Sequence, residues 1–289
     1  MFRVGFVYNK KMNDSKAHFA ELLGCKDDRD KDINFSTTGM VMGFNLNNSI
    51  LSDKKLHDDY FRCVLNIAIS LQKANSHYRK YVENEEAFIK EYEKKHVGKG
   101  NNSNSSTAAL ELVTEIDGVL SNYKSSLDSL AKTFSSMYGI SIRGWHKAKD
   151  SDGVEKSGLR VLNTLGNLPK ETLVKTEPLR DYIMKNVNWA TFLVSMRDDV
   201  HHSGGIKGVT NIVYDFEDDK VYPQFVVYEG GQKELVSEFL NRVIDQTIDF
   251  VRNVLLLTIQ SKLHEDMFIV KNTKAEFPPY IFAVNFKKD

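Results

Sequence analysis

Between Thr107 and Tyr138 apolar side chains return at alternating spacings of three and four: Val113, Ile116, Leu120, Tyr123, Leu127, Leu130, Phe134 and Met137. An α-helix turns once every ~3.6 residues, so this spacing draws one apolar stripe down one face of a long helix. Such a helix must have its stripe covered, and other helices are the usual cover. The chain supplies three more. Leu56, Tyr60, Val64, Ile67, Leu71, Ala74, Tyr78 and Tyr81 mark a helix capped by Asp53 and running to about Lys95. Ile183, Val187, Ala190 and Val194 mark another, with Thr176 as its cap and Pro178 in its first turn, where the missing N–H costs nothing. Leu235, Phe239, Val243, Phe250, Val254 and Leu257 mark the last, from about Lys233 to Leu263. Four such stripes predict a mainly α chain built as an antiparallel helical bundle.

The segments between the helices read as loops and a few strands. Gly98 to Ser106 is rich in Gly, Asn and Ser and reads as a mobile loop, and residues 143–157 as a second exposed loop. A short helix is expected from Gly158 to Leu165. Residues 211–216 and 222–228 alternate as the strands of one hairpin, with its turn at Glu217–Lys220 and its end at Gly230-Gly231. Further short strands are expected at residues 2–8, 267–270 and 280–284, while the charge run 27–32 reads as a solvated loop. The organisation expected is an N-terminal extension over 1–52, a helical bundle over 53–264 with the hairpin 211–228 inserted, and a C-terminal extended tail over 265–289 that packs on the bundle.

Composition narrows the partners. Of 289 residues, 41% are hydrophobic and 27% charged, as in globular proteins with a true core. Lys+Arg and Asp+Glu each total 39, so the chain lacks a broad basic surface for nucleic acid. Any such binding falls to a local patch or to a groove between two copies. Cys25 and Cys63 form no CxxC spacing, His57-Asp58-Asp59 and His264-Glu265-Asp266 read as solvated turns, and no metal site is expected. Gly5, Gly39 and Gly43 make no phosphate-cradling pattern, so no nucleotide cofactor is expected. The apolar opening, Phe2 to Val7, is too short for a leader or a membrane span, which points to the cytoplasm.

The chemistry concentrates in Arg197-Asp198-Asp199-Val200-His201-His202. The apolar stripe of the third long helix runs straight into Arg197 and His201, and Gly204-Gly205 ends the helix just beyond. On a regular helix His201 shares the face of Arg197, while His202 lies about 140° round it. Unwinding at Ser203 would let the His202 ring swing back. An arginine presents a fixed fork of donors to a phosphate, and a histidine moves protons near neutral pH. Together they suit attack of a ribose 2′-OH on the adjacent phosphate without a metal. A plainer reading makes this a helix end where the histidines balance the dipole and Arg197 caps a carbonyl or pairs with an acid such as Asp181.

The motif resembles that of the HEPN superfamily: an arginine, a polar residue, a short spacer and a histidine, at the end of a long helix late in a helical bundle. Here four residues separate Arg197 from His202. The resemblance spans roughly residues 55–262, and its specific part is those six residues. It implies a metal-independent ribonuclease. Arg197 and His202 would be the catalytic pair, Asp198 the polar second residue, and His201 a neighbour. Such enzymes act as dimers on RNA, some as toxins or antiviral effectors held by a regulatory protein partner. Arg143, Trp145 and Lys147 are further candidates for gripping RNA, Trp145 by stacking. The competing expectation is a non-catalytic scaffold whose seams at 113–137 and 235–257 bind another subunit.

Overall fold

The computed structural model describes residues 26–39, 53–107, 109–203, 208–264, 267–272 and 281–286. The strand expected at 2–8 lies outside them. The chain is mainly α, with short antiparallel strands.

The first helix, α1 (Asp28–Asn34), is capped by Asp27, whose carboxylate accepts the Asp30 N–H at 2.8 Å. A π-helical turn (Phe35–Gly39) continues it. The charge run is therefore a capped helix and not the solvated loop expected. A distant residue explains the difference: buried Arg252 donates to Asp32 at 3.1 Å and to Ser36 at 2.9 Å, and also holds Asp249 at 2.8 Å.

The four long helices lie close to where the stripes place them. α2 spans Lys54–His96, and Asp53 caps it by accepting the N–H groups of Lys55 and Leu56 at 2.7 and 3.2 Å. α3 spans Leu110–Tyr138 and stops at Gly139, whose φ of +67° is the left-handed conformation that ends helices cheaply. Two short helices, α4 (Leu159–Gly166) and α5 (Lys170–Lys175), precede α6 (Glu177–Ser203). Thr176 stands at the junction, but its hydroxyl turns back to the Leu173 carbonyl at 3.1 Å and so closes α5. α7 spans Val236–Gln260.

The strands depart further from expectation. β1 (Ser105–Thr107) emerges from the supposed loop and pairs with β4 (Ile212–Asp215), which pairs in turn with β5 (Lys220–Tyr222). The supposed loop at 143–157 is the hairpin of β2 (Lys147–Lys149) and β3 (Glu155–Ser157). The single hairpin expected at 211–228 is two. Its second half, β6 (Phe225–Val227), turns at Gly230 and Gly231 to pair with β7 (Lys233–Leu235), which enters α7 directly. The tail strands β8 (Met267–Asn272) and β9 (Ile281–Phe286) pair antiparallel.

By compactness the chain forms two units. The first comprises Met1–Gln72, Ser125–Thr191 and Ile248–Asp289, the second Lys73–Lys124 and Phe192–Thr247. Each long helix supplies a stretch to both. In the first unit Tyr60, Val64, Ile67, Leu127, Leu130, Phe134, Val187, Val251 and Val254 are buried; in the second Tyr81, Ile116, Leu120, Tyr123, Leu193, Phe239 and Val243. Most of the 113–137 and 235–257 seams are thus spent inside the fold, which removes them as a surface for a further subunit.

Phe250 of α7 is the hub of the first unit. The Trp145 ring meets it edge-on at 5.5 Å, Tyr182 stacks at 5.8 Å and Trp189 tilts against it at 5.8 Å. Trp145 is held there by its backbone N–H, which donates to Asp128 at 2.7 Å, and by the close approach of Gly158 to the indole. A Cβ at Gly158 would stand 2.7 Å from that ring, and its φ of +88° is already hostile to a side chain. Gly158→Ala should therefore cost about 2–3 kcal/mol through strain plus overlap. Gly153→Ala, at φ +79° with open space around it, should cost only about 1 kcal/mol. Denaturant titration of the two variants against the parent measures the gap.

Candidate functional site

Arg197 sits near the C-terminal end of α6, between buried Met196 and Val200, with about 34% of its side chain exposed. Its Nη1 donates to Asp198 Oδ1 at 3.2 Å, and Asp198 is itself 32% exposed. The guanidinium is therefore oriented by its neighbour in sequence, not by Asp181. Its Nε is buried and has no hydrogen-bond partner among the described residues. A buried N–H left unpaired costs roughly 1–3 kcal/mol, so this donor is one that a well-placed acceptor would satisfy.

The helix does not unwind where the sequence suggests. α6 continues through Ser203, so His201 and His202 both stand on helical backbone, while their side chains lie outside the described residues. Neither histidine nor serine breaks a helix, and the glycines come later. The register then puts position 201 on the face of Arg197 and position 202 about 140° round the axis. Residues 204–207 lie outside the described residues. Beyond them, the chain is tied down at once. Gly208 O accepts from the Val227 N–H at 2.6 Å, the Thr210 N–H donates to Phe225 O at 2.9 Å, and Val209 bridges Val226.

Two other expectations change. Trp145 is only 1% exposed and packed on Phe250, so it cannot stack a base; it anchors the loop. Arg143 is exposed and Lys147 half-buried in β2, and with Trp145 they belong to the first unit, whereas Arg197 belongs to the second.

Sequence reasoning missed what lies beside α6 in the second unit. Phe192, 41% exposed and five residues before Arg197, tilts against Tyr228 at 6.2 Å and meets Phe239 edge-on at 6.3 Å. Arg242 lies over Phe239 at 5.5 Å and forks onto Glu234, with Nε to Oε1 at 3.0 Å and Nη2 to Oε2 at 2.6 Å. Its Nη2 also donates to the Tyr228 hydroxyl at 2.9 Å, and that hydroxyl donates to Glu234. The signal was the β6–β7 hairpin: Glu234 pairs with Val226, which makes residue 228 its diagonal neighbour beside a turn that the single-hairpin reading did not contain. Also in the second unit, on α2, His77 Nδ1 meets Glu115 Oε2 at 2.7 Å, with the imidazole lying on Gly118 of α3.

The comparisons leave the site to its own geometry. No known family, curated protein or solved structure matches this chain. Among the described residues no group of three or more His, Cys, Asp and Glu side chains is placed to hold a metal ion, and no helix is long and apolar enough to cross a membrane.

Electrostatics in the fork have a definite sign. Arg242, bonded to Glu234, holds that carboxyl below the usual carboxylate range, and burial pushes the Tyr228 phenol up to about 12. A carboxyl depressed by folding stabilises the fold fully above its unfolded value, and that stabilisation fades as pH falls through the folded value. The stability difference between the parent and Arg242→Met should accordingly be largest near neutrality and shrink as pH drops below about 4. Urea unfolding across that range reads it directly.

Proposed function

We propose that this chain is a metal-independent endoribonuclease of the HEPN type. The observation that supports it is Arg197: a partly exposed guanidinium at the end of a long helix, steered by the polar residue next to it, with a histidine four and five positions on. A helix C-terminus carries partial negative charge and does not itself attract phosphate, so recruitment falls to the arginine. His202, about 140° round the helix from Arg197 in its own copy, takes the proton from the ribose 2′-OH beside the Arg197 of a second copy. The freed oxygen attacks the adjacent phosphorus, and the bond to the 5′ oxygen of the next nucleotide breaks as that oxygen takes a proton from water, while protonated His202 returns its own proton to solvent. The products are a 2′,3′-cyclic phosphate and a 5′-OH end. Arg197 stabilises the charge that gathers on the phosphoryl oxygens, Asp198 orients it, and His201 stands on the same helical face. Phe192, on the same helix and partly exposed, offers the strand an aromatic face.

In this reading two copies set their helix ends against a shared cleft, which reconciles a net charge of zero with RNA binding. The enzyme works in the cytoplasm as a toxin or antiviral effector restrained by a regulatory protein. A second reading, a non-catalytic helical interaction protein, is favoured by one observation: the Arg197 guanidinium is already engaged by Asp198.

Cleavage of total RNA by the purified protein in excess EDTA tests the proposal. Arg197→Ala should lose about 10²- to 10³-fold in rate, and His202→Ala about 10²- to 10⁴-fold, with unfolding midpoints close to the parent's. Activity that survives both substitutions would sink the site. A folded, dimeric parent that leaves RNA intact would favour the second reading.

A further inference from the structure

Outside the Arg197 motif, the second unit buries a carboxyl group. Glu85 of α2 is 7% exposed. One turn before it, Tyr81 places its hydroxyl oxygen 2.7 Å from Glu85 Oε1 and 3.2 Å from Gln224 Oε1. Gln224 lies between β5 and β6, is 2% exposed, and donates its Nε2 to the Thr210 carbonyl at 3.1 Å. Its backbone N–H also donates to the Glu85 carboxyl.

These contacts can be counted as protons. The Thr210 carbonyl accepts only, so the Gln224 amide must turn its NH₂ towards Thr210 and its oxygen towards Tyr81. The phenol oxygen then stands between two acceptors, the carboxyl oxygen and the amide oxygen, with a single proton of its own. If Glu85 is ionised, one of the two contacts is acceptor against acceptor inside the protein, beside a buried charge. If Glu85 is protonated on Oε1, it donates to the phenol oxygen, the phenol donates to Gln224, and Gln224 donates to Thr210. Every contact then has one proton, and no charge is buried.

We propose that Glu85 retains its proton well into the range where carboxylic acids are ordinarily ionised. That proton closes a buried latch, Glu85–Tyr81–Gln224–Thr210, which ties Thr210, just before β4, to α2. The groups around the carboxyl agree. Tyr81, on its own helix, is the titratable group that faces it. From the turn before β6 the uncharged Gln224 faces it. Burial is the largest influence on Glu85 and raises its affinity for the proton, outweighing the bonds from Tyr81 and the Gln224 N–H, which pull the other way. Deprotonation leaves Tyr81 with two acceptors and one proton. Gln224 loses its partner, and Thr210 loses the tie that runs through Gln224. The latch is independent of whether the chain cleaves RNA.

Because folding raises this carboxyl's affinity for its proton, the stabilisation is complete below the ordinary carboxylate range. It is lost as pH climbs through the raised value. The test is the thermal midpoint of the full chain from about pH 5 to about pH 9, for the parent and for Glu85→Gln. The glutamine NH₂ can donate to Tyr81 without a charge at any pH. The parent midpoint should fall below that of the variant as pH rises, opening a gap of roughly 3 °C or more. The infrared band of a protonated carboxyl, present in the parent near pH 6 and absent from Glu85→Gln, is the second readout. Equal pH slopes for the two proteins would overturn the proposal. Should the variant fail to fold, the parent band decides alone: persistence above the usual carboxylate range supports the latch, and disappearance along with the surface carboxyls ends it.

Discussion

Phe250 receives three aromatic rings, and two of them, Tyr182 and Trp189, come from α6. A ring placed edge-on or offset gains about 0.5–1.5 kcal/mol beyond the area it buries. The cluster therefore fixes the rotation of the first half of α6 about its own axis as well as its distance from α7. The helix then runs unbroken to Ser203, through Arg197.

The long helices were legible because they obey a local rule. A stripe repeating at three and four residues declares itself within a few turns, and Asp53 and Gly139 mark ends by chemistry that acts over three or four positions. What the sequence concealed was non-local. β1 looks like a polar linker until β4, more than a hundred residues on, pairs with it. The helix at 28–34 looks like a solvated charge run until Arg252 supplies its counter-charge. Trp145 looked like an exposed binding residue because its neighbours are polar. Its burial depends on Phe250 and Gly158, which no reading of 143–157 contains.

The candidate site divides in the same way. Arg197 and Asp198 were readable as a pair because they are adjacent. The glycines alone suggest unwinding at Ser203, just after His202, whereas helix propensity carries the backbone through Ser203. Phe192, Tyr228, Glu234 and Arg242 gather from α6, two edges of a hairpin and α7. Misreading the hairpin register hid all of them at once, since a wrong turn sends every residue of the strand to the wrong partner. Much of the polar chemistry of the second unit is therefore organised by three-residue strands, the elements with the weakest sequence signal.

One small contact governs how this chain can change over time. The His77 imidazole lies so close to Gly118 that a Cβ there would stand 2.4 Å from its Nδ1. A side chain at 118 and the imidazole in its place on Glu115 compete for one space, so a residue larger than glycine there moves the ring. The histidine, by contrast, can be replaced while the glycine stays, so the dependence runs one way.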